Sequence, residues 1–346
     1  MTAPEPRSNP LLLGHAAAEA TLAEAARAGR LHHAWLLTGP EGVGKATLAY
    51  RFARRLLAGI PGGGSPEANT LALDPEHPVF RRVAAGAHAD LLTVELVYDD
   101  KRKRMKTQIA VDDVRRISSF MALTPAEGGW RIAIVDGAES LNQSSANALL
   151  KILEEPPQRA ILLLVCSAPG TLLPTIRSRC RRLALAPLDD TAMAEALAAY
   201  LPDMDADERI RLADLAEGSP GRALLLAEAE GLSVAKLVDG VLADLPNVPP
   251  SRGYAVADAL GRSDTGFSTF MDILRAAITA ATRASARGRA DPDQERIAGL
   301  QPLAAWAELW HTLTRLQDET ERFALDKRQA LVQAISLLPN RTPSSS

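Results

Sequence analysis

The sequence predicts an α/β fold in its first half, a parallel sheet with flanking helices, followed by an all-α second half. Three observations carry this reading. Short apolar runs alternate with amphipathic segments up to about residue 186, no strand signal follows, and a glycine-rich phosphate-loop pattern lies between one apolar run and the next helix.

The run ending in Leu36-Leu37-Thr38-Gly39 reads as a strand. Lys45 to Ala58 places apolar residues at Leu48/Ala49, Phe52/Ala53 and Leu56/Leu57, a helical period, and Gly59 stands where a glycine closes a helix. Leu91 to Val97 is expected as a strand, Val111 to Met121 as a helix and Arg131 to Asp136 as a buried strand. Ser144 to Leu153 follows as a helix stopped before Pro156-Pro157, and Ile161 to Cys166 as another buried strand. Beyond Ala186, helices are separated by turns at Gly218-Ser219-Pro220-Gly221 and Asn247-Val248-Pro249-Pro250. Pro61 to Pro66 reads as a flexible insertion and Pro339 to Ser346 as a polar, disordered tail.

Composition narrows the class. A chain of 346 residues, 47% apolar and 23% charged, can bury the cores of two or three domains and lacks the signature of a disordered protein. No apolar run reaches the roughly 18 residues of a membrane span and no secretory leader is read, so the expected compartment is the cytoplasm. Two cysteines, Cys166 and Cys180, rule out a disulfide scaffold and a four-cysteine zinc site. With 39 basic against 42 acidic residues, a net of −3, the chain is not a bulk polyanion binder, and any nucleic-acid contact must be local or shared.

The chemistry concentrates in Gly39-Pro40-Glu41-Gly42-Val43-Gly44-Lys45-Ala46-Thr47. In a P-loop, Gly39, Gly42 and Gly44 let backbone N–H groups turn around a phosphate, the helix N-terminus adds its positive end, and Lys45 reaches the β and γ oxygens. The residue after the lysine should carry the hydroxyl that binds Mg²⁺, and here it is Ala46. Thr47, one residue on, is rotated by roughly 100° about the helix axis and does not substitute directly. Ile132 to Asp136 supplies the strand whose terminal Asp136 would serve Mg²⁺, but the following position, where an ATPase needs Glu, is Gly137. Glu139 is read as serving a local turn or helix start. Two separate positions therefore lack the groups hydrolysis needs, which favours a role without hydrolysis; a glycine-rich turn with no nucleotide history is the plainer alternative.

The run Ser145 to Pro157 (Ser-Ala-Asn-Ala-Leu-Leu-Lys-Ile-Leu-Glu-Glu-Pro-Pro), then Ser167-Ala168-Pro169 and Ile176-Arg177-Ser178-Arg179-Cys180, resembles the bacterial AAA+ clamp-loader subunits of DNA polymerase III. Leu13-Gly14-His15, the P-loop and the Val135-Asp136 strand complete five motifs in order, covering about Leu12 to Ala223. The resemblance implies an AAA+ P-loop module over 1–186, a small helical lid over 187–240, a helical collar for oligomerisation over 241–340 and a tail over 341–346. It further implies a five-membered ring containing delta and gamma or tau subunits that opens the sliding clamp and places it on primed DNA, as part of a DNA-directed DNA polymerase (nucleotidyltransferase) assembly. Arg179 matches the Ser-Arg-Cys arginine finger that this family offers in trans to a neighbour's ATP, where a fixed guanidinium neutralises charge on the γ-phosphate. The nucleotide-sensing Arg that gamma relatives carry directly after Gly-Ser-x is Gly221 here, with Arg222 one later, and the family's four-cysteine zinc knuckle is lacking between Ile60 and Arg82. The implied protein is a weakly or non-hydrolysing stator, without zinc, that needs no bound ATP or Mg²⁺ of its own. The rivals are an ATP-hydrolysing gamma/tau-type motor and a purely structural subunit in which Arg179, in a basic turn from Arg177 to Arg182, has no catalytic role.

Other features stay open. Lys101 to Lys106 is a concentrated basic run, either a phosphate contact or a solvated loop or hairpin. Leu303, Trp306, Trp310 and Leu313 form a stripe on one helix face, buried within the domain or between subunits. Cys166 and Cys180 read as packing residues.

Overall fold

The computed structural model describes residues 4–29, 31–59, 70–96, 98–99, 104–261, 263 and 265–340. The proline-glycine insertion at 61–66, Lys101 to Lys103 of the basic run and the 341–346 tail lie outside the described residues. The chain divides into two compact units, one of residues 2–204 with 216–222, the other of 205–215 with 223–346.

In the first unit the elements run α1 (Ala16–Arg27), β1 (Ala34–Thr38), α2 (Lys45–Leu57), α3 (Pro78–Ala84), β2 (Leu91–Val94), β3 (Tyr98–Asp99), β4 (Arg104–Met105), α4 (Val111–Met121), β5 (Arg131–Asp136), α5 (Gln143–Glu154), β6 (Ala160–Cys166), α6 (Pro174–Arg179), β7 (Arg181–Ala184) and α7 (Asp190–Tyr200). Five strands form a parallel sheet in the order β2-β5-β6-β1-β7, and β3 and β4 form a separate antiparallel pair. The central strands are buried along almost their whole length, as apolar runs covered on both faces should be. Alternate residues divide between two cores. Trp35, Leu37, Ile132, Ile134, Leu163 and Val165 pack with α1 and α2 residues such as Leu22, Leu48 and Phe52, while Leu36, Ala133, Val135, Leu162 and Leu164 pack with Val114, Ile117, Leu149 and Leu153 of α4 and α5.

The sheet register sets the site. Thr38 pairs with Cys166 and Asp136 with Val165, so the C-terminal ends of β1, β6 and β5 come level at one edge. β6 lies between the strand leading into the P-loop and the strand ending in Asp136.

Several expectations need correction. The strand from Leu91 ends at Val94. Between Ile161–Cys166 and residue 186 the structure adds α6 and the edge strand β7, where the sequence reads as a turn carrying Arg179; a six-residue helix gives no period, and an edge strand of Arg-Arg-Leu-Ala has no continuous apolar signal. Helix α5 starts at Gln143, capped by Asn142, whose side chain accepts from Ser145 N at 2.9 Å. It buries Ser145, Ala146, Leu149, Ile152 and Leu153, whereas Asn147 is exposed and Leu150 only partly buried. Leu150→Ala is accordingly expected to cost less than about 1.5 kcal/mol, well under a fully buried leucine; urea denaturation checks this, and a larger loss would contradict the observed helix face.

The second unit is helical among its described residues: α8 (Ala206–Ala216) and α9 (Pro220–Glu228), each ending or starting in the first unit, then α10 (Gly231–Ala243), α11 (Pro250–Leu260), α12 (Gly266–Ala286), α13 (Pro292–Ala298), α14 (Leu303–Arg322) and α15 (Lys327–Ser336). Helix α12, with Phe267, Phe270, Ile273, Leu274 and Ile278 buried, packs against α10, α13 and α14, and α11 pairs with α15. The expected α14 stripe is divided. Trp306 and Leu313 are buried together with Leu309, but Leu303 is 63% exposed and Trp310 37% exposed, because the buried face steps from 306 to 309 rather than to 310. Among the described residues no helix is long and apolar enough to cross a membrane.

Candidate functional site

The P-loop joins β1 to α2. Gly44, with φ 108°, forms the N-cap of α2, and Gly42 has φ 73°, backbone shapes that an L side chain rarely adopts. Lys45, 5% exposed, folds back so that Nζ donates to the Pro40 carbonyl at 2.6 Å. Burial pulls the Lys45 ammonium below its usual range, opposed by the nearby charges of Glu139, Asp136 and Glu41. Thr47 is buried within α2, and the position next to the lysine presents only the methyl of Ala46.

Opposite the loop, Asp136 ends β5. Burial, reinforced by Glu95 and Glu139, raises its carboxyl to about 6, although Lys45 acts in the other direction. Glu139 does sit in the expected short turn, a 3₁₀ stretch over Ala138–Ser140. Its carboxylate does more than serve that turn: Oε1 accepts from Ser167 N at 3.1 Å beyond the end of β6, and its charge bears on both Lys45 and Cys166. Cys166 is fully buried, and burial together with Glu139 lifts its thiol to about 12, so it is a neutral member of this group. The reach of Glu139 is what sequence reasoning missed, its place three residues past the end of β5 being the available signal, while Cys166 is the buried core thiol the sequence predicts.

The Gly218–Arg222 segment closes over the loop. Ser219 Oγ donates to the Glu41 carbonyl at 2.5 Å and Gly221 N to the Gly42 carbonyl at 2.9 Å. The two glycines meet backbone to backbone, so that a Cβ on Gly221 would lie 2.8 Å from Gly42 Cα. Position 221 therefore has no room for a side chain while the two backbones are joined. Arg222 instead lies 4.0 Å from Glu217. From the N-terminal side, His15 Nε2 donates to the Val43 carbonyl at 2.7 Å, and burial holds its imidazole below the usual range. Arg54, buried and lowered to about 10 mainly by burial, anchors the preceding segment by donating to the Arg7 and Asn9 carbonyls, each at 2.8 Å.

These residues fit a nucleotide only in part. The backbone of Gly39, Gly42 and Gly44 has the shape of a phosphate cradle, but the Mg²⁺ hydroxyl and the water-orienting Glu have no equivalent at Ala46 and Gly137. The hydrolytic half does not fit.

Arg179 is placed apart from this loop. It is the last residue of α6 rather than part of a basic turn, and its side chain is 37% exposed. Nη1 donates to the Thr175 carbonyl at 3.1 Å, and Nη2 pairs with Glu154 Oε1 at 2.9 Å.

A parallel sheet with the P-loop strand beside two neighbours, and a loop of P-loop form bonded to the Gly218–Arg222 segment, define a P-loop protein of the AAA+ kind. Residues 14–189 match the sequence model of the family described as "DNA polymerase III, delta subunit", and the chain belongs to that family, as a bacterial delta′-type subunit. It is 38% identical over 190 residues to DNA polymerase III subunit delta′ of Pseudomonas aeruginosa, covering 54% of this chain and 53% of that one. To the delta′ subunit of Escherichia coli it is 31% identical over 234 residues, covering 68% and 65%. The tau/gamma subunit of Haemophilus influenzae is 31% identical over 213 residues, covering 60% of this chain and 28% of the relative. The match thus spans about half to two thirds of the length of the delta′ relatives.

Proposed function

We propose that this chain is the non-hydrolysing stator of the DNA polymerase III clamp loader. In this reading it joins delta and gamma or tau subunits in a ring, through helices of residues 241–340, and supports loading of the sliding clamp onto primed DNA in the cytoplasm. It needs no nucleotide or metal of its own. Its contribution to hydrolysis is Arg179, offered to the ATP held by a neighbouring subunit, where a fixed guanidinium in a partly dehydrated gap stabilises charge developing on the γ-phosphate.

One observation carries this reading. The chain's own P-loop combines a lysine turned onto Pro40 with a methyl at Ala46, the end of β5 offers no side chain at Gly137, and Arg179 stands half-exposed at a helix end. A gamma-type motor would need the groups absent at Ala46 and Gly137.

The isolated chain is expected to show no Mg²⁺-dependent ATP turnover, and turnover abolished by Lys45→Ala would favour the motor reading. In a ring reconstituted with its partners, Arg179→Ala should lower DNA- and clamp-stimulated hydrolysis while leaving assembly intact. The loss is partial, since other interfaces carry their own arginines. Unchanged stimulated turnover in an assembled mutant ring would leave the structural reading.

A further inference from the structure

Four arginines fall within six residues, Arg177, Arg179, Arg181 and Arg182, and their surroundings differ. Arg181 lies over the Trp35 ring at 4.8 Å, and Arg182 Nε donates to Thr38 Oγ1 at 3.1 Å. Arg179 has a carboxylate, Glu154, at 2.9 Å. We infer that Glu154 is a positioning residue for Arg179, holding the guanidinium in the orientation in which it meets a neighbour's triphosphate; this rests on the trans-arginine reading above.

Both residues rise from fixed elements. Glu154 is the last residue of α5, whose Leu149, Ile152 and Leu153 are buried, and Arg179 is the last residue of α6, whose Ile176 is fully buried. The Arg179 and Glu154 side chains themselves are 37% and 52% exposed, and an ion pair so open to water adds little to folding stability. Its consequence is therefore orientation. The guanidinium is gripped at two points, by Glu154 Oε1 on Nη2 and by the Thr175 carbonyl, one turn back, on Nη1. That grip uses two of the five N–H donors of an arginine and leaves three for phosphate oxygens. A long side chain otherwise free to rotate is already ordered before the neighbour's ATP arrives, so less conformational entropy is lost on engagement.

The same carboxylate also subtracts positive charge from the arginine, and the two effects have opposite signs. If charge competition dominated, removing Glu154 would strengthen the attraction for triphosphate and speed hydrolysis. If positioning dominates, as inferred, removal slows it.

The test uses the ring reconstituted with its partner subunits, reading kcat and KM for ATP in the DNA- and clamp-stimulated reaction. Glu154→Ala should lower kcat by about threefold with little change in KM, the mark of an interaction realised at the transition state. Glu154→Gln, which keeps an acceptor oxygen at the same reach, should retain most of the activity. Glu154→Asp keeps the charge but is one methylene shorter, and should behave like Ala. Combined with Arg179→Ala, the Glu154→Ala change should add no further loss, because it acts only through the arginine. The melting temperature of each variant reports whether it folds, and Gln and Asp carry the comparison should Ala fail. A higher kcat in Glu154→Ala, unchanged kcat where Arg179→Ala lowers it, or an additive double loss would overturn the positioning role while leaving the trans-arginine reading in place. If Arg179→Ala itself had no effect, both would fall.

Discussion

Asp136→Asn is expected to stabilise the folded chain by up to about 3 kcal/mol at pH 7 to 8, raising the melting temperature by about 4 °C, in metal-free buffer. Burial beside Glu95 and Glu139 raises this carboxyl from the ordinary 3.8 to about 6 in the folded state. The folded form therefore binds the proton more tightly than the unfolded chain. Protonated Asp136 carries no penalty below about pH 3; as pH rises from about 3 to 6 the unfolded chain ionises first and stability is lost, reaching a plateau above pH 6. Asparagine has nearly the same shape and no charge, so the gain should be about 0.5 kcal/mol near pH 4, absent below about pH 3 and full above pH 7. Urea titrations of both proteins across that range measure it. A gain independent of pH, or a loss at pH 8, would show that Lys45 and the Gly137 backbone compensate the carboxylate more completely than its burial implies.

A carboxylate raised by burial, as Asp136 is, is the kind of group sequence reasoning finds through chemistry rather than packing. Asp136 was legible because it ends an unbroken apolar strand, and the same continuity made β1 and β6 legible. Their burial on both faces leaves no polar residue to blur the signal. What was not legible depends on pairing between distant residues. Glu139 reaches Ser167, 28 residues away, and nothing local in either segment specifies that bond. Edge strand β7 was hidden for the opposite reason, since its arginines are satisfied by a ring face and a hydroxyl supplied by β1. The α14 stripe misled because Leu309 and Trp310 are adjacent in sequence, and a 3.6-residue period allows either to continue the face begun at Trp306. The resemblance to clamp-loader subunits located Arg179, but the grip of Glu154 on it appears only when α5 and α6 are placed side by side.

Gly42→Ala is expected to cost about 3–5 kcal/mol, the larger part from contact rather than backbone strain. A Cβ at this position, with φ 73°, would stand 2.5 Å from Ser219 Oγ and 2.8 Å from Arg222 N. Neither neighbour can withdraw cheaply: Ser219 is buried and bonded to the Glu41 carbonyl, and Arg222 N is backbone. The Gly218–Arg222 segment must therefore lift from the P-loop, giving up both the Ser219–Glu41 and the Gly221–Gly42 bonds. Gly59→Ala is the internal control. Gly59 has a similar φ of 64° but no atom within 4 Å of its would-be Cβ, so its cost is the left-handed conformation alone, about 1 kcal/mol. The difference between the two variants isolates the clasp between loop and lid. Hydrogen exchange over residues 216–222 should rise sharply in Gly42→Ala and stay unchanged in Gly59→Ala. Gly221→Arg should open the same segment, because the arginine stem cannot share the space held by the Gly42 backbone. Equal costs for Gly42→Ala and Gly59→Ala would mean that the lid rests on the P-loop without locking it. The P-loop would then be held chiefly from the N-terminal side, through the His15 bond to the Val43 carbonyl.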